Sequence, residues 1–472
     1  MELKAGKYLL VDNYIVEDAW NLQRTVVRPA KHIDNPLVAP DRPWEGRGMG
    51  GCYVLFDAEE NLFKMWYNVF SYIAWRNEEE NWYTYAACYA ESPDGLSWHK
   101  PALGIVDFEG STQNNILMKG EWWAVPGTVL KENREPDPAK RYKMLYTDVF
   151  GVSREQVARE GGISGAWPGR SGVCIAYSAD GIHWQPYSGN PVIEGESDTT
   201  NTVFWDESLE KYLYYMRPPI YAGHWKRRIA RAESKDLLEW SRPETVLIPD
   251  ELDPLEFYGM PVFKYQGYYF GLLQVYHSNT TETIDIQLAF SRDGKNWERL
   301  PGRDLFLGLG VRHGQGRDFD AGMVFADKPV FVGDEIWFYY TGCNHSHNDE
   351  RGRTSIGLAR AKIDRLIGRT TQPGERGILL TRPLQVQGGE LEINASSSDG
   401  AIQVEVLSEA GETIAGYERS SCPIFSADSL CRQIRWKEEK SLKDLQGQRI
   451  RLKFHLSNAR LYSFQIKPQC KT

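Results

Sequence analysis

The stretch Ser92-Pro93-Asp94-Gly95-Leu96-Ser97-Trp98 decides the fold, because the chain repeats it. Two further copies run Ser178-Ala179-Asp180-Gly181-Ile182-His183-Trp184 and Ser291-Arg292-Asp293-Gly294-Lys295-Asn296-Trp297, and a looser copy, Ser234-Lys235-Asp236-Leu237-Leu238-Glu239-Trp240, lacks only the glycine. Each copy follows a short run of residues that is apolar or alternates between apolar and polar. This pattern predicts a strand that ends in a tight turn, after which the tryptophan packs against the strand. The copies recur at intervals of 86, 56 and 57 residues, measured between their aspartates, which is typical of a repeat architecture.

Each repeat also contains a hairpin whose second strand is rich in aromatic residues. Five such strands are found, at residues 63–67, 141–146, 211–216, 268–273 and 335–340. Four short strands per unit, in five units and without a long amphipathic helix, predict an all-β, five-bladed β-propeller over residues 1–365. A sandwich or barrel is the alternative for many short strands. The strand at residues 7–11 is predicted to close the ring with the last blade.

The repeated hairpins with aromatic second strands end at about Arg365. Residues 366–377 are rich in Gly, Thr and Pro and are interpreted as a linker. Several later segments, such as 402–407 and 450–454, alternate apolar with polar residues, as strands covered on one face do. The sequence therefore predicts a separate C-terminal β-sandwich over residues 378–472.

Composition excludes several classes of partner. The 472 residues carry a formal net charge of -9, which argues against nucleic acid, because phosphate binding needs clustered Lys and Arg. No apolar run of about 18 residues predicts a membrane helix. The first residues lack the apolar core of a signal peptide, so the protein is predicted to be cytoplasmic. Seven scattered cysteines fit neither a disulfide framework nor a zinc site.

The five predicted blades, the repeated Ser-x-Asp-Gly-x-x-Trp turns and the trailing sandwich resemble the furanosidase-type propeller glycosidases of glycoside hydrolase families 32 and 43. The layout agrees over essentially the whole chain, although the family 32 motifs Trp-Met-Asn-Asp-Pro, Arg-Asp-Pro and Glu-Cys are absent, so the chain resembles a divergent member. The resemblance implies exo-hydrolysis of a furanoside or related sugar without a cofactor. A structural Ca²⁺ is compatible with it.

Glycoside hydrolysis requires two carboxyl groups that flank one bond. In a propeller the starts of the inner strands surround one central pocket, so acids just before those strands are the candidates. The predicted catalytic set is Glu45, Asp198, Glu256 and Asp320. Glu45 matches the position of the family's first-blade aspartate, Asp198 is preferred to Glu196 before the third strand, and Glu256 lies among Leu, Phe and Tyr, where desolvation raises a pKa.

Further polar and aromatic residues near the same strand ends are predicted to bind substrate. They are Trp44, Arg47, Trp123, Arg217, Tyr258, His277, His313, Arg317, Asp318 and His345. The loop containing His345, His347 and Asp349 offers metal-ligand residue types, but sugar binding or simple loop polarity is favoured, so no metal site is predicted. Asp94, Asp180 and Asp293 of the repeated turns are predicted to be structural.

Two other functions fit the same layout. A non-catalytic glycan-binding propeller would rely on aromatic and arginine side chains without a carboxyl of raised pKa. A phosphorylase of the mannoside type would need a basic phosphate pocket, which Arg312, His313 and Arg317 could provide. A sialidase is less consistent with the sequence, because Asp and Gly are adjacent in the turn and there is no clear arginine triad.

Overall fold

The computed structural model describes residues 6–46, 48–71, 84–119, 124–150, 171–195, 197, 199, 201–218, 226–313, 316–349 and 351–467. Over these residues the protein is built from β-strands and short 3-10 helices, as predicted for the fold class. The 3-10 helices span Pro43–Glu45, Pro138–Lys140, Arg419–Ser421, Lys437–Glu439 and Leu442–Leu445. None of the described helices is long and apolar enough to cross a membrane.

Five antiparallel meanders follow one another along the chain. The first contains Met49–Asp57, Leu62–Ser71, Thr84–Ser92 and Ile116–Met118. The second contains Val125–Lys131, Tyr142–Val149, Ser171–Ser178, Gln185–Pro186 and Ile193–Glu194. The third contains Thr202–Asp206, Lys211–Met216, Ile229–Ser234 and Glu244–Leu247.

The fourth and fifth meanders have interrupted first strands. The fourth contains Glu256–Gly259, Val262–Tyr265, Tyr268–Tyr276, Ile284–Ser291, Glu298–Arg299 and Leu305–Leu307. The fifth contains Met323–Ala326, Val330–Val332, Glu335–Cys343, Thr354–Lys362 and Ala30–Lys31. A small hairpin of Arg312–His313 and Gly316–Arg317 lies between them in the chain.

The outer strand of the fifth meander comes from the N-terminal part of the chain, but not from the segment predicted. Ala30–Lys31 pairs with Thr354–Lys362 at this position. Residues 7–11 were predicted to fill it, and that prediction was wrong, because Lys7–Leu9 pairs with Arg460–Lys467 instead. The ring of Tyr8 stacks on Phe464 there with centroids 5.2 Å apart, so aromatic packing holds this strand in the C-terminal sheets.

Hydrophobic clusters join each meander to the next. Phe204 of the third meander packs with Phe257 of the fourth, and Phe270 of the fourth packs with Phe338 of the fifth. The fifth meander also packs against the first, where the rings of Phe63 and Trp337 stack with centroids 5.9 Å apart. Burial of these apolar side chains between meanders is the main source of stability expected for such repeats.

The repeated turn forms the same hydrogen bonds in all four copies. In the first copy the Asp94 carboxylate accepts two backbone N–H groups, and the Ser92 hydroxyl accepts that of Gly95. The residue at the glycine position has φ of +72° at Gly95 and +68° at Leu237, a conformation that glycine adopts without steric cost. The structural role predicted for the turn aspartates is confirmed at Asp94, Asp180 and Asp293.

Two further sheets lie outside the meanders and share one hydrophobic core. The first contains Lys7–Leu9, Gln23–Val26, Ile367–Thr370, Glu390–Ser396, Asp428–Ile434 and Arg460–Lys467. The second contains Val16–Trp20, Arg376–Thr381, Leu384–Gln385, Ala401–Ser408 and Arg449–Ser457. N-terminal strands thus pair with C-terminal ones, which the division at residues 365 and 378 did not anticipate.

Candidate active site

An aromatic and cationic cluster is centred on Tyr258 of the fourth meander. The ring of Tyr276 contacts that of Tyr258 edge to face, with centroids 5.9 Å apart. The guanidinium carbons of Arg217 and Arg227 lie 4.9 and 5.1 Å from the Tyr258 centroid, within cation–π range. The Tyr258 hydroxyl is 3.1 Å from Nε2 of His347, which the fifth meander supplies. We call these five residues the Tyr258 cluster.

Glu256 brings a carboxylate to the Tyr258 cluster. It is 9% exposed and pairs with Tyr276 across the two strands. Its Oε1 accepts the backbone N–H of Arg227 at 3.0 Å, while the Arg227 guanidinium lies 3.4 Å from both carboxylate oxygens. Charge-assisted bonds of this kind are usually about 2.7–2.9 Å long, so the guanidinium contact is a loose one. The carboxylate is therefore positioned by the backbone and retains capacity to accept another hydrogen bond.

Hydrogen bonds connect the Tyr258 cluster to the second and third meanders. The backbone N–H of Arg217 donates to Ser197 Oγ at 3.0 Å, and its guanidinium donates to the Tyr258 carbonyl at 2.9 Å. Thr147, at the end of the second meander's aromatic strand, donates to the Ser197 carbonyl at 3.2 Å. Side chains of the third and fifth meanders therefore meet the fourth at Tyr258, and Ser197 links the second meander to them.

Asp148 is a buried carboxylate of the second meander that was not among the predicted residues. It follows Thr147 in the strand Tyr142–Val149 and is 2% exposed. Acids were selected from the residues that precede the inner strands, and before the second of them, where Glu121 lies, none was chosen. An acid close to the end of an aromatic, otherwise mostly apolar strand was the available signal. Arg227 and His347 were likewise not predicted to bind substrate.

Glu45 lies in a separate environment in the first meander. It is fully buried and pairs with Lys100, with Nζ 2.7 Å from Oε1. The Tyr67 hydroxyl donates to Oε1 at 2.9 Å, and the backbone N–H groups of Asp41 and Arg42 donate to Oε2 at 2.8 and 3.0 Å. Four donor groups thus occupy both oxygens, which suits a carboxylate that stabilises its loop.

Asp320 has the same kinds of partner in the fifth meander. Its Oδ2 accepts Lys31 Nζ at 2.6 Å and the Tyr340 hydroxyl at 2.8 Å. An asparagine side chain then donates to the tyrosine oxygen in each case, Asn115 in the first meander and Asn35 in the fifth. We call each such group of acid, tyrosine, lysine and asparagine a brace. In each brace the acid precedes the inner strand, the tyrosine lies in the second strand, and the lysine comes from an outer segment of the meander.

The braces give a testable prediction for stability. Tyr67→Phe is expected to lower the free energy of unfolding by about 1–3 kcal/mol, because the buried Glu45 carboxylate and the Asn115 amide both lose the hydroxyl between them. Urea denaturation of wild type and variant measures this difference. Tyr14→Phe, at a tyrosine that is 41% exposed, is the control. Equal stability of the two variants would contradict a stabilising role for the brace.

His277 and Asp285 form a second polar pair beside Tyr276. His277 Nε2 is 2.9 Å from Asp285 Oδ2, and Asp285 is 8% exposed. This hydrogen bond raises the pKa of His277 above its ordinary value, against the opposing effect of burial. The arrangement can hold a proton on the imidazole at the edge of the candidate site.

Asp285→Asn is expected to lower the pKa of His277, because the charged acceptor that favours the imidazolium is lost. A histidine whose pKa is higher in the folded than in the unfolded protein stabilises the fold at pH values below its unfolded pKa. This stabilisation disappears as the pH rises through the folded-state pKa. The stability advantage of wild type over the variant should therefore shrink with rising pH. An NMR titration of the imidazole measures the pKa, with Asp304→Asn as the control. An unchanged titration in Asp285→Asn would refute the coupling.

The remaining predicted residues fall into four groups. Trp44 donates its indole N–H to Asn115 Oδ1 at 2.7 Å and so belongs with the first brace. Asp318 accepts the Val311 backbone N–H at 2.7 Å and lines, together with Asp320, a cavity of about 520 Å³ between the fourth and fifth meanders. His345 contacts Asn344 at 2.8 Å. Outside the described residues or side chains lie Arg47, Trp123, Asp198, His313 and Arg317.

The three described members of the predicted catalytic set have different partners. Glu256 contacts Arg227 of the Tyr258 cluster, while Glu45 and Asp320 lie in two braces. Within the described part of the chain, no three His, Cys, Asp or Glu side chains are grouped to hold a metal ion. In the loop that offered metal-ligand residue types, His347 contacts Tyr258 and Asp349 pairs with Arg351. The expectation that no cofactor is required stays a prediction.

Comparisons with known proteins place the fold. No protein-family model and no curated protein matches the sequence. The solved structure of a BT0996 RGII complex has a TM-score of 0.50 at 16% identity, covering 71% of this chain and 92% of that one. A thermostable family-43 glycoside hydrolase has a TM-score of 0.45 at 16% identity, and the match covers 69% of this chain and 93% of that one. The catalytic domain of a Coprinopsis cinerea GH62 alpha-L-arabinofuranosidase has a TM-score of 0.46 at 12% identity, and the match covers 71% of this chain and 97% of that one.

These similarities concern the fold. The solved structures that this chain resembles include proteins described as glycoside hydrolases, all at low identity, which is consistent with a divergent member. With identities of 12–16%, the chain is a divergent relative in structure, and its chemistry has to be argued from its own side chains.

Proposed function

We propose that the protein is a glycoside hydrolase whose five meanders are the blades of a propeller, followed by a sandwich. The observation that carries the proposal is the meeting of side chains from the third, fourth and fifth meanders around Tyr258, next to the nearly buried carboxylate of Glu256. Aromatic rings suit the apolar faces of sugars, and the arginine side chains are positioned to donate hydrogen bonds to hydroxyl groups. The packing of the fifth meander on the first supports a closed ring.

Hydrolysis needs one carboxylic acid that protonates the leaving glycosidic oxygen as the bond to the anomeric carbon breaks. It also needs a second carboxylate, which either takes a proton from the attacking water or attacks the anomeric carbon itself. In our proposal Glu256 is one of the two, and Asp148 or Asp198 is the other. Glu45 and Asp320 remain in the predicted set, although their brace contacts favour a stabilising role.

The substrate that we propose is a furanoside of the arabinose or fructose type, or a related sugar, cleaved at a chain end. Release of a chromophore from a panel of aryl furanosides and pyranosides tests this choice. The same panel is applied to Glu45→Gln, Asp148→Asn, Asp198→Asn and Asp320→Asn, so that each carboxylate is assigned by its effect on kcat. Activity confined to pyranosides would exclude the furanoside assignment but leave the hydrolase assignment intact.

The alternatives are separated by the same assay. Sugar release that depends on inorganic phosphate would indicate a phosphorylase, while sugar binding without turnover on any substrate would indicate a glycan-binding propeller. Full activity after treatment with EDTA is expected if no metal is required. Loss of activity that Ca²⁺ restores would indicate the structural Ca²⁺ with which the family resemblance is compatible.

A further inference from the structure

A cavity of about 520 Å³ lies between the fourth and fifth meanders. Its walls come mainly from residues 28–36 of the N-terminal segment, from residues 306–311 at the end of the fourth meander, and from residues 318–320 before the fifth inner strand. The volume falls within the range of small-molecule sites, which is about 300–1,000 Å³. Neither Glu256 nor any member of the Tyr258 cluster is among its described lining residues, so it is a separate candidate site.

The brace of the fifth meander lies in the wall of this cavity, with its four members Lys31, Asn35, Asp320 and Tyr340. Lys31 and Tyr340 both donate to the same oxygen of Asp320, Oδ2, at 2.6 and 2.8 Å. Within the described part of the chain, no donor forms a hydrogen bond with the other oxygen, Oδ1. Oδ1 lies close to the backbone of Gly310, another lining residue, where a Cβ would be only 2.1 Å away. A carboxylate has about four acceptor positions, so Asp320 can accept further hydrogen bonds from a ligand.

The brace of the first meander shows how the same residue types behave when the group is closed. Both oxygens of Glu45 accept hydrogen bonds, and Lys100, whose side chain is only 6% exposed, donates to three oxygens. In the fifth meander the side chain of Lys31 is 31% exposed. An ammonium group has three N–H donors, and among the described residues Lys31 uses one of them, on Asp320. The fifth brace therefore leaves available an acceptor and donors that the first brace uses within the protein.

Arg28 adds a second cationic group at the cavity. It is exposed, and its Nε donates to the Leu305 carbonyl at 3.2 Å. As far as the structure describes the chain, neither terminal nitrogen of its guanidinium group has a hydrogen-bond acceptor. A guanidinium group carries five N–H donors in a planar fork, so Arg28 can donate to two neighbouring oxygens of a ligand.

The apolar part of the wall includes Phe306, Leu307 and Phe319. Phe306 and Leu307 are buried, whereas Phe319 is partly exposed. The ring of Phe319 packs on that of Tyr340, with centroids 5.7 Å apart, which holds it beside the brace. Aromatic rings suit the apolar C–H faces of sugars, so the polar groups and this ring together match a ligand that has both kinds of surface.

The charges of the described lining balance. It contains two cationic side chains, two carboxylates and one histidine, namely Arg28, Lys31, Asp318, Asp320 and His32. With the histidine neutral, the formal charges sum to zero. A charged ligand gains no net attraction from such a lining, whereas the hydroxyl groups of an uncharged ligand can donate to the carboxylates and accept from the cations. The chemistry that fits the cavity is therefore that of an uncharged sugar.

We propose that this cavity is a second carbohydrate site, which binds an uncharged saccharide unit of one or two rings. Hydroxyl groups of the ligand donate to Asp320 Oδ1 and accept from Lys31 and Arg28, while one face of a sugar ring packs on Phe319. The proposal goes beyond the glycoside hydrolase assignment and does not depend on it, because binding here breaks no bond.

The test is ligand-observed saturation-transfer NMR on the full chain, with methyl glycosides of glucose, galactose, mannose, arabinose and fructose as probes. The chain carries Glu256→Gln, so that the proposed hydrolysis does not consume the probes. Gly308→Trp is added to fill the cavity, because Gly308 lines it, has no left-handed φ, and a Cβ there meets only Leu305, at 3.4 Å. Gly302→Trp, at an exposed glycine whose Cβ position is equally open, is the matched control. At least one probe is expected to bind, and Gly308→Trp should weaken its binding at least about tenfold, whereas Gly302→Trp leaves it unchanged.

A second variant removes one donor and leaves the cavity open. Arg28→Gln is expected to weaken binding of the same probe roughly threefold to tenfold, the effect of one lost hydrogen bond of average strength. Arg382→Gln is its control, since Arg382 is likewise exposed and donates through Nε to a backbone carbonyl, that of Tyr14, at 3.1 Å. This surface variant keeps the test decisive if Gly308→Trp is unstable. Glucuronate and glucosamine are expected to bind no more tightly than methyl glucoside.

The proposal is overturned if no uncharged probe gives a signal that Gly308→Trp or Arg28→Gln weakens, or if glucuronate or glucosamine binds more tightly at this cavity. Turnover of an aryl glycoside, measured with Glu256 intact, separates this proposal from the hydrolase assignment. Loss of kcat in a stable Gly308→Trp protein would make the cavity part of the active site and refute a second one. Probe binding that is sensitive to Gly308→Trp, in a protein that cleaves no glycoside, would refute the hydrolase assignment alone.

Discussion

Glu256→Gln is expected to lower kcat on a cleavable glycoside by a factor of about 10²–10⁴, the range observed when a general acid or base is lost. The amide cannot give or take the proton that the carboxyl group exchanges, while its size and its hydrogen bond from the Arg227 backbone are preserved. Glu256 is only 9% exposed and the residues around it are unchanged in the variant, so binding of the substrate in the ground state should be preserved. KM should therefore change little. Steady-state kinetics of purified wild type and variant give both constants.

Glu251→Gln is the matched control, since Glu251 is an exposed glutamate in the connection that leads to Glu256. Its kcat should equal that of wild type. The pH dependence of kcat provides a second readout, because loss of one ionising group removes one limb of a bell-shaped profile. A Glu256→Gln enzyme with full kcat, or one whose loss is matched by Glu251→Gln, would remove Glu256 from the chemistry.

Asp57→Ala is expected to destabilise the protein by about 3–5 kcal/mol, because it leaves a buried cation without its counter-charge. The Asp57 carboxylate is fully buried and is contacted by Lys64, Lys131 and the Tyr142 hydroxyl. The Lys64 side chain is itself 2% exposed and would then retain one acidic partner, Glu60, which is half exposed. Urea denaturation measures the difference, and Asp334→Ala at an exposed position is the control.

The effect of Asp57→Ala should depend on pH in a defined direction. Burial would raise the pKa of Asp57, but hydrogen bonds from Lys131 and Tyr142 and the charge of Lys64 hold it well below the ordinary value. A carboxyl group whose pKa is lower in the folded than in the unfolded protein stabilises the fold at pH values above its unfolded pKa. This stabilisation is lost as the pH falls through the folded-state pKa. The difference between wild type and variant should therefore be largest near neutral pH and smaller in acid. A difference independent of pH would contradict this ion-pair account.

Much of the fold could be predicted because its signals are local. The Asp94 turn and its copies depend on hydrogen bonds within a few residues, so their sequence pattern and their structure coincide. The aromatic second strands were likewise recognisable from residue types alone. The partner of residues 7–9 was not, because any exposed strand edge can accept them, and packing of Tyr8 on Phe464 decides the choice.

The candidate site was predicted less completely. Glu256, Tyr258 and Arg217 were identified from their positions at strand ends, and they lie together. Glu45 and Asp320 were chosen by the same rule, yet each has the contacts of a brace. Position before an inner strand does not determine whether a side chain points to a shared pocket or to its own meander, because neighbouring residues on a strand point to opposite faces.

The sequence by itself determined the repeats, the strands and the set of acids from which a site could be formed, since these depend on residue type and on spacing along the chain. Only the tertiary structure decided how those acids are used. A carboxylate's behaviour depends on which donors surround it, and residues distant in sequence, such as Lys100 for Glu45, Lys31 for Asp320 and Lys131 for Asp57, supply those donors.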